Sequence, residues 1–333
     1  MRAALLKKLP TAELDVVEVA EPLIGPGEVM VSVAACGICG TDLHIMEGNS
    51  YHPELPFVLG HELVGRIIEV APDVDESWVG RRVAPTLFVG CGRCRACRSH
   101  EERLCEEGAL ATGVIGRHGG FSDRVSLQVH QLVSVPESLP HVVVAGLVDA
   151  GVTARNAVRI ALCDPRYDEQ RHLVVGAGPV GLFVAELLRA AGQDCVIVEP
   201  NQLRRRVVTE RGYAVASAIS DIDGSFSTAI DCAGVAPLVS RIVSLLRPHG
   251  LYIAVAYTTL REFDLSVVAR RELQIRGVRS GTRGDLEEVL SLVTAGDVLP
   301  PPSEIWKLND INDALASLRK GMVQGKAVIV TGS

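Results

Sequence analysis

The sequence predicts a two-domain α/β protein in which an irregular, barrel-like β domain is joined to a doubly wound parallel sheet. Three observations predict it. From Met1 to about Pro140 the chain runs in short alternating or apolar stretches broken by Gly and Pro, such as EVMVSVAAC, ELVGRIIEV and DRVSLQVHQLVSV. Beyond about residue 141 the texture changes, and short apolar strands alternate with helical stretches: HLVVGA, VGLFVAELLRAAG, DCVIVEP, NQLRRRVVTERG, STAIDCAG, LVSRIVSLLRPHG and LYIAVAY. Between the first such strand and its helix lies the glycine cluster GAGPVG.

A chain of 333 residues exceeds the size at which one hydrophobic core keeps growing, so two domains are expected. Helices at about 284–295 and 310–320 precede a last strand, KAVIVTG, which is expected to rejoin the first domain and make the parallel sheet an insertion. The expected division is residues 1–148 with 281–333 for the β domain, and 149–280 for the doubly wound domain.

Composition narrows the function. Hydrophobic residues make up 47% and charged residues 22%, and the net charge of −7 offers no footprint for nucleic acid or an anionic membrane. The opening MRAALLKKLP has an apolar patch too short for a signal segment. The apolar stretch from Leu173 to Ala185 is interrupted by Gly176, Gly178, Pro179 and Gly181, which reads as strand, turn and helix start and not as a membrane span. Nine cysteines without a secretory segment point to a reducing, cytoplasmic setting.

Cys91, Cys94, Cys97 and Cys105 lie within CGRCRACRSHEERLC, residues 91–105. Four thiolates so spaced can close a tetrahedral shell around one zinc within a single lobe, and C-x2-C is a metal clasp in reduced proteins. Two disulfides are the alternative, disfavoured by the reducing setting. A closed shell leaves no open position, so this zinc is structural and the chemistry lies elsewhere.

In GAGPVG, Gly176 allows the tight turn, Gly178 lets the backbone approach a pyrophosphate, and Gly181 permits close helix packing. Pro179 and Val180 open the helix, whose N-terminal N–H groups face the phosphates. Glu199 ends the next strand, 18 residues beyond Gly181, and would bind the ribose hydroxyls while repelling a 2′-phosphate, which favours NAD over NADP. Arg204, Arg205 and Arg206 qualify that preference, since one of them, Arg204 first, could neutralise such a phosphate.

A nicotinamide cofactor needs a group that polarises the substrate oxygen, which gives meaning to CGICGTDLH at 36–44 and GHE at 60–62. With these motifs the chain resembles the zinc-dependent medium-chain alcohol and polyol dehydrogenases over essentially its whole length. The resemblance implies a GroES-like β-barrel catalytic domain, a Rossmann domain, and two zinc ions, one catalytic and one structural. It selects Cys39 over Cys36 as a catalytic ligand, because the family's cysteine stands two residues before a Ser or Thr. It puts the histidine ligand at His61, with Glu62 beside it, and the third ligand at Asp149 in DAGVTARNA, where the family more often has Cys or Glu. Read alone, Asp149 could instead cap a helix beginning near Gly151. The resemblance also implies that Thr41 takes the substrate's hydroxyl proton and that His44 relays it to solvent through the cofactor ribose.

The expected activity is hydride transfer between a secondary alcohol, polyol, sugar or cyclitol and NAD(P), in a homo-oligomer acting on a small molecule. Two alternatives are a zinc-stabilised binding or redox-sensing protein that has lost catalysis, and the zinc-free enone reductases of the same fold. The latter typically lack both GHE and the cysteine-rich lobe.

Overall fold

A computed structural model describes residues 1–163 and 171–331, and the chain divides into two compact units. The first comprises Met1–Asp149, Thr282–Thr294 and Pro302–Ser333, and the second Ala150–Gly281 and Ala295–Pro301. The expected spans also run through 164–170 and 332–333, which lie outside the described residues. The sequence placed 295–301 with the β domain. These residues belong to the second unit instead, where the Arg211 guanidinium donates to the Leu299 and Pro300 carbonyls at 3.1 and 2.7 Å.

The first unit is built on a seven-stranded sheet whose longest strand, Glu28–Ile38, pairs antiparallel with Glu62–Val70, Arg124–Gln128 and Lys326–Val330. The C-terminal strand therefore closes onto the middle of this sheet, between Glu28–Ile38 and Ser303–Lys307. Apolar residues on the inner face, among them Ile38, Leu63, Ile67, Phe121 and Leu127, form one core with Ile45 and Met46 from the helix Gly40–Met46. Each such side chain taken from water contributes about 1.5–3 kcal/mol.

The second unit is a six-stranded, all-parallel sheet in the order Ala214–Ala216, Cys195–Val198, His172–Val175, Phe226–Asp231, Leu246–Ala254, Gln274–Gly277. Chain order reverses between His172–Val175 and Phe226–Asp231, the point at which doubly wound sheets bind ligands at their strand ends. Its inner strands, HLVV and CVIV among them, read as near-continuous apolar runs, as expected of a parallel sheet covered on both faces, while the edge strand QIRG is mostly exposed.

A helical run crosses from the first unit into the second. It is α-helical over His141–Gly146, π-helical over Leu147–Gly151 and α-helical again over Val152–Ala161. Helix therefore begins ten residues before Gly151, and Asp149 lies inside the π turn and not at a helix start. No helix among the described residues is long and apolar enough to cross a membrane.

Candidate metal and nucleotide sites

The helix Gly40–Met46 starts at Cys39, whose amide donates to Asp42 Oδ2 at 2.8 Å, so an acid in the first turn fixes the backbone that carries the thiol. Cys39 Sγ lies 3.8 Å from Asp149 Oδ2, and His61 Nε2 lies 3.7 Å from the same oxygen. One donor atom each from Cys39, His61, Glu62 and Asp149 falls within 4.8 Å of the others. Cys36 is not in this group. It lies two residues before the end of its strand, fully buried in the core, and burial raises its thiol pKa.

These donors fit a divalent cation. Cys39 Sγ, His61 Nε2 and Asp149 Oδ2 converge on one point, a sulfur, a nitrogen and an oxygen donor that a metal ion can hold together. Burial disfavours the charged form of His61, yet Asp42 first, then Asp149 and Cys39, raise its pKa well above the ordinary value, which marks a strongly negative potential. Asp42 Oδ1 stands 3.5 Å from His61 Nδ1, which leaves Nε2 turned to the site. With a metal bound, a Cys39 thiolate, a neutral His61 imidazole and the Asp149 carboxylate would carry two negative charges, matching Zn²⁺.

Glu62 has its own counter-ion. Burial pushes its carboxyl up to about 7, against the opposing pull of Lys326 and His61. Lys326 forms an ion pair with Glu62, both side chains at most 4% exposed. Burial works against the ammonium, but Glu62 first, then Cys39 and Asp149, outweigh it and raise its pKa. Gly37 lies opposite Glu62 in the sheet, and a side chain there would collide with the Glu62 carboxylate and reach within 2.7 Å of Lys326 Cε. Sequence reasoning missed Lys326, Asp42 and Gly37. Only Asp42, three residues after a helix-starting Cys39, left a local signal.

Thr41 lies in the first turn of the same helix, its Oγ1 3.7 Å from Cys39 Sγ. His44 follows one turn later on the same helix face, exposed to solvent.

The four cysteines of the lobe also converge. Cys91 and Cys97 sulfurs are 4.0 Å apart, as are those of Cys94 and Cys105. Zinc–sulfur bonds of roughly 2.3 Å imply tetrahedral sulfur–sulfur edges of about 3.8 Å, so the cage fits one zinc. The amide of Cys97 donates to Cys94 Sγ at 3.4 Å and, with the Glu106 amide, holds that thiol down to about 6. All nine cysteines are free, which removes the disulfide alternative.

In the second unit Gly176 takes φ +92°, outside the range of ordinary residues, and a side chain on Gly181 would strike the Gly176 carbonyl. A side chain on Gly178 would meet nothing within 4 Å, so the space before the helix Pro179–Ala190, which opens with Pro179 and Val180, is open to a diphosphate. Glu199 also has partners within the protein. It is 3% exposed, and its carboxylate accepts from the Ala177 amide at 2.7 Å and the Asn201 amide at 2.8 Å, tying the glycine turn to the end of the next strand. Arg204 sits in the first turn of the helix Gln202–Glu210, and Arg205 donates to the Glu199 carbonyl at 2.9 Å.

Residues 25–137 match the alcohol dehydrogenase GroES-like domain, and 207–329 match the zinc-binding dehydrogenase domain. A shorter match, to an FAD binding domain, spans 169–218, which contains the glycine turn and the acidic strand end. An alcohol dehydrogenase of Geobacillus stearothermophilus is 30% identical, the alignment covering 99% of each chain. An L-threonine 3-dehydrogenase of Streptomyces avermitilis is 31% identical over 98% of each. Among solved structures, the acetophenone reductase of Geotrichum candidum in complex with NAD is similar at a TM-score of 0.90 and 27% identity, covering 99% of this chain and 96% of its own. With relatives alike from end to end, and with both domain matches falling on the units that carry the two sites, the chain belongs to the zinc-dependent medium-chain alcohol dehydrogenase family.

Proposed function

We propose that this protein is an NAD-dependent zinc dehydrogenase that interconverts a secondary alcohol and its ketone, with Cys39, His61 and Asp149 as the catalytic metal ligands. The observation that carries the reading is the meeting of these three donors beside Thr41, separate from the closed four-cysteine cage. The alcohol dehydrogenase, L-threonine 3-dehydrogenase and acetophenone reductase names of its relatives support a hydroxyl or carbonyl substrate.

Zinc in the open site supplies Lewis acidity toward a hydroxyl, and bound NAD supplies a hydride acceptor. The residues do the rest. Cys39, His61 and Asp149 would hold that zinc, the three protein ligands of an open catalytic site. Thr41 Oγ1 would take the substrate's hydroxyl proton while giving up its own, and His44, one turn along and exposed, would receive that proton through the cofactor ribose and release it to water. Asp42 orients the His61 ring, and Lys326 balances the Glu62 charge so that Glu62 need not compete as a permanent ligand. Glu199 receives the adenosine ribose, while Gly176, Gly178 and Gly181 admit the diphosphate. The cysteine cage holds a second, structural zinc, and the working form is a cytoplasmic homo-oligomer.

The test is a panel of secondary alcohols, polyols and sugars, read as NAD reduction by metal-replete protein. Turnover that is abolished by a chelator and restored by zinc is the expected result. Zinc-replete protein that binds NAD but turns over none of the panel would favour the catalysis-lost reading.

A further inference from the structure

Asp231 lies at the C-terminal end of its strand, beside Val175, the residue that leads into the glycine turn. It is 1% exposed, and among the described residues its side-chain partners are two loop amides and a phenol. Oδ1 accepts from the Ala233 amide at 3.0 Å and the Gly234 amide at 2.9 Å, and Oδ2 accepts from Tyr252 Oη at 2.7 Å. Its backbone carbonyl also takes the Val255 and Ala256 amides at 3.0 and 3.1 Å. One buried carboxylate thus joins the loop after its own strand to the neighbouring strand Leu246–Ala254 and its exit.

The loop it holds is placed for a purpose. The Cys232 amide donates to the Val175 carbonyl at 2.9 Å, and a Cβ on Gly176 would stand 3.2 Å from Ala233 Cβ. Residues 232–234 therefore flank the glycine turn across the point where chain order reverses. Gly234, at φ +64°, folds back so closely that a side chain there would meet Ala256 Cβ at 2.9 Å, while Ala233 and Val235 remain exposed. An exposed apolar loop edge tied down by a fully buried acid is the form of a wall that must keep its position with or without a ligand.

We propose that Asp231 is a positioning residue for the dinucleotide: by pinning the Ala233 and Gly234 amides, with Tyr252 as its own anchor, it fixes the wall of the crevice opposite the glycine turn and so sets NAD affinity. The proposal rests on the nucleotide reading given above. Tyr252 holds the acid from the far side, so the phenol acts through Asp231 and not on the nucleotide. Asp231→Asn keeps an acceptor for the two loop amides, whereas Asp231→Ala frees both.

The experiment measures the NAD dissociation constant by fluorescence titration, together with KM for NAD, kcat and the melting temperature, on the full-length zinc-loaded protein. Asp231→Ala is expected to raise Kd and KM for NAD by about tenfold or more, the scale of losing hydrogen bonds to a charged group, with kcat at saturating NAD within about twofold. Asp231→Asn is expected to recover most of the affinity. A second pair, Ala233→Asp and Ala233→Asn, alters only an exposed side chain: the added carboxylate should repel the diphosphate and weaken NAD binding, and the neutral amide should not. The proposal is overturned if Ala233→Asp and Ala233→Asn bind NAD alike, or if folded Asp231→Ala loses melting temperature while its Kd for NAD stays at the wild-type value. Wild-type protein that binds no dinucleotide would overturn the nucleotide reading as well, and is thereby distinguished from failure of this proposal alone.

Discussion

Lys326, in the last strand of the chain, forms a buried ion pair with Glu62, the residue next to His61, across the bare backbone of Gly37. The pair brings together three strands that are far apart in sequence, Glu28–Ile38, Glu62–Val70 and Lys326–Val330. Lys326→Met leaves the Glu62 carboxyl buried without a partner. It should cost about 3–5 kcal/mol of stability, and the double variant with Glu62→Gln should recover much of that loss. Denaturant titration of the two single variants and the double variant checks this; additive losses would mean that the two residues do not act as a pair.

Asp149→Asn keeps the size of the side chain but removes one of the two charges that match zinc. Catalytic-site zinc and turnover should fall at least 10 to 100-fold, the scale seen even when only outer-shell partners are lost. Cys36→Ser should retain both zinc ions and most activity, since its sulfur is packed in the core away from the donors. Zinc stoichiometry on both proteins decides the matter: full metal in Asp149→Asn would remove that ligand, and a metal-depleted Cys36→Ser would exchange the cysteines' roles.

Two metal sites of different closure should lose metal in order. A chelator should take the ion from Cys39, His61 and Asp149 first, with activity lost while far-ultraviolet dichroism holds, and reach the cysteine cage only later. Active protein that holds one zinc per chain would contradict the two-site assignment.

Glu199→Ala should weaken NAD binding by more than the loss of ribose contacts alone, because its carboxylate also holds the Ala177 amide of the glycine turn. NADP should gain less in absolute efficiency than a simple charge removal would give, with Arg204 and Arg205 supplying what gain there is. Comparing kcat/KM for both cofactors in Glu199→Ala and Glu199→Gln measures the split, since Gln keeps an acceptor for that amide. Equal NAD losses in the two variants would leave the turn-holding role without support.

His172 begins the central strand of the parallel sheet, fully buried, and burial first, aided by the Arg247 charge and opposed by Gln193, lowers its pKa to about 4. The unfolded chain takes up this proton near pH 6.5 and the folded one only near 4, so stability falls as pH drops through that window. The whole drop from this residue should be about 3 kcal/mol, complete below pH 4. His172→Gln, which cannot titrate, should flatten that part of the stability profile; an unchanged profile would assign the acid limb to other groups.

The fold was legible because both periodicities were strong: alternation in the first unit and unbroken apolar strands beside glycine turns in the second. The cysteine cage was legible because all its ligands are local. Choosing Cys39 over Cys36 needed the family resemblance, since spacing alone pairs them. The structure supplies the physical reason: Cys36 is committed to the core by its strand, and Cys39 lies just past the strand end. Lys326 was not legible, because KAVIV reads only as a strand and nothing local shows which buried acid its first residue meets. The tie of 295–301 to Arg211 was hidden for the same reason, being made through backbone carbonyls that any sequence possesses.

The π-helical turn over Leu147–Gly151 carries Asp149, and its consequence is a dependence on chain length. Such a turn holds one residue more than an α-helical turn, and each residue added to or removed from a helix turns everything beyond it by about 100°. Removing Val148 would leave every ligand in the sequence and still swing the Asp149 carboxylate away from Cys39 and His61. The proposed metal position is therefore set by a count of residues as much as by their identity, and a single-codon deletion would silence it without touching a ligand.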